Sequence, residues 1–326
     1  MQPTTEAADS QTALRAERKQ AQRILYDLLI VILAVIPIII CEFGIEPYRR
    51  GFFCDDESIR YPFHGNTVTE VMLGLLAGGL SLVMVIIVEF VRFYRRVELS
   101  ERRNFFGWRM PVWLYECSKQ ISTFTFGMLL VLDATELGKY TIGRLRPHFM
   151  AVCQPILTDG TTCNDLSNRH RYIENYVCAG NGYRIEDVRQ SRLSFPSGHS
   201  SIAFYVTVYL AIYLHYRLTW RGSKLLRHFL QFILLMLGWF TALSRVMDNW
   251  HHWSDVLVGI LLGIVGAVIM TRCVAKLHKD GRMCNLKLSL PRAPTTTTLQ
   301  EVISTPPPYT LNTMNGFSNQ QYCTKM

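Results

Sequence analysis

Apolar residues in this chain gather in blocks of about membrane length, and polar residues fill the stretches between them. A transmembrane helix needs about 20 predominantly apolar residues, and six blocks approach or reach that length. The blocks run approximately over Ile24–Phe43, Val71–Val88, Val112–Gly138, Ser200–Tyr216, Phe229–Ser244 and Val256–Val274. This pattern predicts an all-α membrane protein in which six transmembrane helices form a bundle.

The third block is the least apolar of the six. It carries four charged residues, Glu116, Lys119, Asp133 and Glu136, which would be costly against lipid. Charged residues within a span usually face the interior of the helix bundle or a water-filled cavity. We therefore keep Val112–Gly138 as a span and expect its charges to face other helices.

The basic residues indicate which way the spans run. The net charge of +9 raises the alternative of nucleic-acid binding, but the Lys and Arg residues flank the apolar blocks instead of sharing one face. The short loops at 92–109 and 217–227 are dense in Arg, so the positive-inside rule places them and both tails in the cytoplasm. The loops at 44–69, 139–198 and 245–254 then face outside, or into the lumen of a compartment.

Composition divides the chain into one domain and two tails. Residues 1–23 form a polar cytoplasmic tail, and residues 24–276 hold all six predicted spans. Residues 277–326 are basic at first and then rich in Thr, Pro and Asn, which predicts a disordered cytoplasmic tail. A homo-oligomer is compatible with the sequence, which does not determine the number of subunits.

A short motif in the second tail resembles a protein ligand. Pro306, Pro307 and Tyr309 fit the P-P-x-Y pattern that WW domains bind in the polyproline II conformation. The alternative is a Pro-rich disordered tail without such a partner.

Four cysteines lie in the predicted outer loops: Cys54, Cys153, Cys163 and Cys178. They allow two disulfides with three alternative pairings, which an extracellular or luminal compartment would favour. The alternative is that they are free thiols. The sequence contains no C-x-x-C pair, so a structural zinc site is not predicted.

Three clusters that contain cationic, hydroxyl, imidazole and carboxylate side chains lie where apolar blocks meet the predicted outer loops. They are Lys139 with Arg146-Pro147, then Pro196-Ser197-Gly198-His199, and then Ser244-Arg245 followed by His251 and Asp255. The active site is therefore predicted at the outer or luminal face of the membrane.

These clusters suit a phosphate group. A phosphate monoester is a dianion, and its transfer spreads negative charge over the equatorial oxygens. Lys139, Arg146 and Arg245 can hold those oxygens, and Ser197 adds a hydroxyl. Gly198 lets the backbone come close, at the N-terminus of a predicted helix that favours anions. The sequence shows no convincing Asp/Glu cluster for magnesium, so we expect no metal cofactor.

The two histidines are predicted to have different roles. His251 stands four residues before Asp255, one helical turn if the last span begins there. That spacing would let Asp255 accept the Nδ1 proton and leave Nε2 free to attack phosphorus. His199 has no carboxylate at such a spacing and suits the general acid that protonates the leaving oxygen. A covalent phosphohistidine would divide one difficult displacement into two easier steps.

Each cluster alone has a simpler interpretation. Lys139 and Arg146 could be residues at the membrane edge that extend to the headgroups. Pro196-Ser197-Gly198 could be a turn before a helix, and the run from His251 to Trp253 could belong to an interfacial belt. Arg144 and His252 are assigned to this simpler class. The joint order, spacing and membrane side of the clusters favour the functional interpretation for the rest.

The clusters resemble the signature of the lipid phosphate phosphatases, in the type 2 phosphatidate phosphatase superfamily. That signature reads K-x6-R-P, then P-S-G-H, then S-R-x5-H-x3-D, and all three parts are present without departure. The resemblance covers about residues 24–276. It implies His251 as nucleophile, Asp255 as the residue that orients it, and His199 as acid. It also implies a set of phosphate-binding residues: Lys139, Arg146, Ser197, Gly198 and Arg245.

The resemblance further implies an activity. The activity would be magnesium-independent removal of phosphate from phosphatidate, lysophosphatidate, sphingosine 1-phosphate and ceramide 1-phosphate. Separately, we predict that the protein lies in the plasma membrane, with the site extracellular and both termini cytoplasmic; an internal membrane is the alternative. Three rivals remain: a catalytically silent scaffold or adhesion relative, an enzyme for a soluble phosphate, and a transporter. The first would be expected to lack His199 or His251, and both are present.

Overall fold

The computed structural model describes residues 25–95, 102–105, 108–218 and 223–277, together with Arg18 and Gln22. The predicted tails and the Pro-rich motif at Pro306 therefore lie almost wholly outside the described residues. The statements that follow concern the six-span region.

The described part of the chain is mostly helical. Its helices are α1 (Leu25–Gly44), α2 (Glu70–Tyr94), α3 (Val112–Ile142), α4 (Phe149–Cys153), α5 (Ile185–Gln190), α6 (Gly198–Arg217), α7 (Lys224–Met247) and α8 (Trp253–Val274). Its strands are β1 (Phe52–Phe53), β2 (Arg102–Phe105), β3 (Trp108–Pro111), β4 (Pro155–Leu157), β5 (Tyr172–Ile173) and β6 (Tyr176–Cys178).

Five of these helices are long and apolar enough to cross a membrane, namely α1, α2, α3, α7 and α8. They confirm five of the predicted spans, including the charged third one, and identify a multi-pass integral membrane protein. The structure extends α3 by four residues beyond the predicted end at Gly138. Gly143 then ends the helix in the left-handed conformation at φ 56°, with its N–H donating to the Lys139 carbonyl.

The predicted fourth span, Ser200–Tyr216, lies within α6, which is not among these five helices. Most α6 residues are buried, and α6 packs against α7, α8, α3 and α2. Several of its hydroxyls bond to protein groups; for example, Tyr205 donates to the Phe124 carbonyl at 2.8 Å. At 20 residues α6 is about 30 Å long. That length suits a central helix of the bundle, and its crossing of the membrane stays a prediction.

Two glycines allow α8 to approach α6 closely. A methyl group on Gly259 would stand 2.5 Å from the Ser197 carbonyl oxygen, and one on Gly263 would collide with the Ser201 carbonyl. Small residues are the usual means by which membrane helices pack backbone to backbone. This contact positions the N-terminus of α6 beside the first turns of α8.

The loops at 44–69 and 139–198 form a small disulfide-linked head at the end where α6 begins. Antiparallel pairs join β1 to β5 and β4 to β6, over a cluster that includes Phe52, Leu145 and Phe149. Disulfides join Cys54 to Cys163 and Cys153 to Cys178, which is one of the three pairings left open by the sequence.

Candidate active site

One end of the bundle carries all three motif clusters. Lys139 and Arg245 occupy the last turns of α3 and α7, while Ser197 and Asp255 occupy the first turns of α6 and α8. Because α3 and α7 end where α6 and α8 begin, residues far apart in sequence meet here. We call Lys139, Arg146, Ser197, Gly198 and Arg245 the cradle.

Lys139 reaches the cradle across the start of α6. A methyl group on Gly198 would stand 3.4 Å from Lys139 Nζ and 3.7 Å from Thr135 Cγ2. The missing side chain of Gly198 therefore leaves space beside the ammonium group. Lys139 Nζ also donates to Glu136 Oε1 at 2.7 Å within the same helix, and the Glu136 side chain is 16% exposed. Lys119 is exposed, so the expectation that the charges of this segment face other helices is wrong for that residue.

Arg146 is buried with part of its guanidinium unused. Its Nη2 donates to Gln190 Oε1 at 3.0 Å and to the Leu193 carbonyl at 3.3 Å. Its Nε and Nη1 have no hydrogen-bond partner among the described residues. Burial, reinforced by the charge of Arg245, lowers the pKa of Arg146 to about 9. A buried cation with free donors next to a second cation is a site that favours an anion.

Arg245 is fully buried and held on several sides. Nη1 donates to Asn66 Oδ1 at 2.8 Å, and Nη2 donates to Asp248 Oδ2 at 2.9 Å. Nε and Nη2 also donate to Ser244 Oγ, at 3.2 and 3.1 Å. One N–H of Nη1 remains after these bonds, since a guanidinium carries five. Arg245 is therefore a rigid cation with little freedom to move toward a ligand.

Ser197 caps the N-terminus of α6. Its hydroxyl accepts from Ser200 N at 3.4 Å and lies 3.0 Å from Ser200 Oγ. Its backbone N–H donates to the Asp255 carbonyl at 3.1 Å, which ties the start of α6 to the start of α8. The free backbone N–H groups of this first turn point out of the helix end, where an anion is stabilised.

His199 lies within electrostatic reach of Arg245, Arg146 and Lys139. Its side chain is enclosed, and its Nε2 has no hydrogen-bond partner among the described residues. Together with the two free atoms of Arg146, this nitrogen is available to a ligand in the cradle.

The predicted hydrogen bond from His251 to Asp255 is wrong. His251 Nδ1 donates instead to the Ser194 carbonyl at 2.6 Å. The reason is that α8 begins at Trp253, so His251 lies in the turn before it and helical i, i+4 spacing does not apply. The Asp255 carboxylate turns back to the helix start and accepts from His252 N–H at 3.1 Å.

The bond to a carbonyl nonetheless fixes the tautomer that attack requires. A carbonyl oxygen only accepts, so Nδ1 of His251 carries the proton and Nε2 carries the lone pair. Burial, followed by the charge of Arg146, lowers the pKa of His251 well below its usual value. His251 is therefore neutral near pH 7, the state in which it can act as a nucleophile.

Two residues given a simple interpretation from the sequence take part in the site. Arg144 Nη1 donates to Asp255 Oδ1 at 2.5 Å and to Ser254 Oγ at 2.8 Å. His252 Nδ1 lies 3.2 Å from Asp255 Oδ2. Ser194 was not singled out at all, since neither its type nor its spacing distinguishes it in the sequence.

Residues 58–68 form a strap across the turn between α7 and α8. Asp248 accepts from the backbone N–H and the hydroxyl of Thr67, at 2.8 and 2.7 Å. Trp250 Nε1 donates to the His64 carbonyl at 2.9 Å, and the guanidinium of Arg146 lies 4.6 Å from the Trp250 ring. The strap thereby holds both Arg245 and the turn that carries His251.

Comparisons with known proteins identify the family of this chain. The family model described as the PAP2 superfamily matches residues 120–279. A Drosophila melanogaster protein named "Putative phosphatidate phosphatase" is 46% identical over 263 residues, which are 79% of this chain and 69% of that protein. Phospholipid phosphatase 2 of Mus musculus is 39% identical over 259 residues, 79% of this chain and 87% of its own length. Phospholipid phosphatase 1 of Rattus norvegicus is 39% identical over 256 residues, 78% and 86% of the two chains. No solved structure gives a significant match.

Proposed function

This chain belongs to the PAP2 superfamily and is a membrane phosphatidate or phospholipid phosphatase, and we propose that it acts on several lipid phosphates through a phosphohistidine on His251. The proposed substrates are phosphatidate, lysophosphatidate, sphingosine 1-phosphate and ceramide 1-phosphate. The observation that carries the proposal is the set of buried, unpartnered atoms Arg146 Nε, Arg146 Nη1 and His199 Nε2. Arg146 and His199 lie within electrostatic reach of each other and of His251, so a phosphate dianion bound among them would supply the missing partners beside a histidine held in its neutral, nucleophilic tautomer.

In the first step the cradle holds the phosphate oxygens and His251 attacks. A bond forms from Nε2 of His251 to phosphorus, and the bond from phosphorus to the lipid oxygen breaks. His199 gives its proton to that oxygen, and the lipid alcohol leaves. The charge of the bound dianion offsets the nearby cations and favours the protonated form of His199 that this step needs.

In the second step water replaces the histidine. The water oxygen bonds to phosphorus as the bond to Nε2 breaks, and His199, now neutral, takes the proton from the water. Inorganic phosphate leaves, and both histidines return to their starting states. In both steps Nδ1 of His251 keeps its proton and its hydrogen bond to the Ser194 carbonyl, so the ring keeps its orientation.

The cations also explain why a metal need not be invoked. Lys139, Arg146 and Arg245 supply the positive charge that magnesium supplies in many phosphoryl-transfer sites. Catalysis without added magnesium is therefore part of the proposal.

We place the site on the extracellular face of the plasma membrane, with both termini in the cytoplasm. Two disulfides lie in the same loops as the cradle, and such bonds persist in extracellular and luminal compartments. The Arg-rich loops at 92–109 and 217–227 follow α2 and α6 in the sequence, and the described residues Arg92 and Arg217 pair with Glu89 at the other end of the bundle.

The test is phosphate release by the purified protein in detergent micelles. The four lipid phosphates are assayed separately with EDTA present, beside a soluble sugar phosphate and the His251→Ala variant. We expect release from the lipids under chelation, little from the sugar phosphate and none from the variant. Absence of turnover by the wild-type protein would favour a silent scaffold, and restoration only by magnesium would refute the metal-free site.

A further inference from the structure

Asp255 is a fully buried carboxylate that does not touch His251, so its partners define what it does. It accepts from Arg144 Nη1, from the Ser194 hydroxyl at 2.6 Å, and from His252 N–H at 3.1 Å. A buried carboxylate needs a countercharge and full hydrogen bonding to remain ionised. Arg144 provides the countercharge across the gap between the loop after α3 and the start of α8.

Ser194 connects this carboxylate to the nucleophile. Its hydroxyl donates to Asp255, its backbone N–H donates to the Arg144 carbonyl at 2.9 Å, and its carbonyl accepts from His251 Nδ1 at 2.6 Å. The Ser194 hydroxyl is therefore held by the Asp255 carboxylate that pairs with the Arg144 guanidinium, and the Ser194 backbone is held by the main-chain carbonyl of Arg144. The direction of the Ser194 carbonyl, and with it the orientation of the His251 ring, depends on these bonds.

Arg144 does not behave as a membrane-edge arginine that merely extends to water. Its side chain is 34% exposed, yet its guanidinium is fixed by Asp255 and by Ser254 Oγ at 2.8 Å. A second backbone bond, from Arg146 N–H to the Ser191 carbonyl at 2.8 Å, pairs the same two loop segments. Arg144 is thus part of a rigid unit that touches neither the free atoms of Arg146 nor His199 Nε2.

We propose that Arg144 is a positioning residue for the phosphatase reaction, acting through Asp255 and Ser194 to hold His251 in line for attack. The inference rests on the proposed role of His251 as nucleophile. It assigns Asp255 an indirect role, through the Ser194 backbone, in place of a direct hydrogen bond to the imidazole.

The experiment compares Arg144→Ala, Arg144→Lys, Ser194→Ala and the double variant with Ala at both positions. Turnover of phosphatidate is measured as kcat and KM, and inorganic phosphate serves as a competitive probe of the cradle. Arg184→Ala is the matched control, because Arg184 forms an exposed ion pair with Asp187 on α5, away from the site. Each variant is compared with the wild-type protein in the same micelles.

We expect Arg144→Ala to lower kcat about 10- to 100-fold. Removal of the hydrogen-bond partner that orients a metal-binding histidine has an effect of this size in other proteins. KM and the inhibition constant of phosphate should change by less than about twofold, because Arg144 acts on the attacking group and not on binding. Arg144→Lys should recover part of kcat by restoring a cation. The kcat of the double variant should be only slightly lower than that of the worse single variant, since both changes act through the same hydrogen-bonded group of Arg144, Asp255 and Ser194.

Other results would overturn the inference. If Arg144→Ala has the same kcat as the wild-type protein, Arg144 does not position His251. The proposed function would still stand, because the wild-type protein would still release phosphate from lipids. If Arg144→Ala loses both its inhibition by phosphate and its kcat, Arg144 belongs to the cradle or is needed for folding instead. If the fold-losses in kcat of the two single variants multiply in the double variant, Arg144 and Ser194 act independently. If the wild-type protein releases no phosphate from any lipid, the proposed function itself fails.

Discussion

At the scale of single residues, the site depends on two imidazoles with different surroundings. His251 bonds through Nδ1 to a backbone carbonyl, whereas His199 presents an unpartnered Nε2 toward three cations. The first arrangement suits a neutral nucleophile and the second suits a proton donor that becomes charged when a dianion binds. The two histidines should therefore fail in different ways when they are replaced.

Replacing His251 with Ala should remove turnover with every substrate, because His251 is the proposed site of the covalent intermediate. Replacing His199 with Ala should cost about 10²- to 10⁴-fold with an ordinary lipid alcohol, the usual value of a general acid. That loss should shrink with a nitrophenyl phosphate, whose leaving group needs little protonation. Steady-state rates with both leaving groups measure this, and equal losses in His199→Ala would show that it is not the acid.

His148 should make stability fall in acid. Burial, with a contribution from Arg146, lowers the pKa of His148 to about 4, whereas an unfolded histidine titrates near about 6.5. Between these values the unfolded chain binds more protons than the folded one, so stability is lost progressively as pH drops through this window. His148→Gln should flatten the dependence of the unfolding temperature on pH from 7 to 4 in detergent. The exposed His64 changed to Gln is the control, and an unchanged slope in His148→Gln would contradict the assignment.

Residue types and spacings are enough to predict which side chains share this site, since cations, hydroxyls and imidazoles are visible in a sequence. The Nδ1 partner of His251 is not predictable in this way, because it is a backbone carbonyl and every residue has one. Arg144 is missed for a related reason: its role depends on Asp255 turning toward the helix start, which follows from where α8 begins.

At the scale of elements, the approach of α8 to α6 decides where Ser197 lies. The length of the apolar blocks alone predicts five helices well. It predicts α6 least well, because that helix is covered by protein instead of lipid. The extension of α3 to Ile142 also depends on tertiary structure, since the polar residues after Gly138 remain helical in contact with the site. The glycines of α8 mark the contact that brings these helices together.

Gly259→Ala should therefore damage both stability and activity. The added methyl group would meet the Ser197 carbonyl oxygen at 2.5 Å, which is backbone and cannot move aside easily. We expect a loss of about 1–3 kcal/mol in the free energy of unfolding, typical of overpacking, and reduced turnover. Gly78→Ala on α2 is the matched control, because nothing lies within 4 Å of its added methyl group. Equal stability of the two variants, measured by thermal unfolding in detergent, would contradict close packing at Gly259.

At the scale of the whole molecule, the bundle has two chemically different ends. The disulfide-linked head and the cradle lie where α6 begins. Where α6 ends, Arg217 pairs with Glu89 of α2 at 3.4 Å, and Tyr213 donates to the same carboxylate at 2.7 Å. The ion pair and hydrogen bond of Glu89 thus link α2 to α6 where α6 ends, and the strap and loops link the helices where α6 begins.

This polarity predicts which residues a membrane-impermeant reagent can reach. Ile185, 91% exposed on α5, lies at the head, and Ser223 is the exposed N-cap residue of α7 at the other end. In cells that carry the protein at their surface, Ile185→Cys should gain labelling by an impermeant thiol reagent over wild type. Ser223→Cys should gain labelling only after permeabilisation, and the reverse pattern would invert the orientation.

The central claim is that phosphate passes through a covalent bond to His251. It is tested most directly by mixing His199→Ala with radiolabelled nitrophenyl phosphate, because the good leaving group permits the first step while the second step is slowed. The reaction is quenched in alkali, since phosphohistidine is labile in acid, and the labelled peptide is mapped by mass spectrometry. The account predicts phosphate on His251, and no label when His251 is also replaced by Ala. Label on any other residue, or full turnover of the wild-type enzyme without a phosphorylated intermediate, would contradict it.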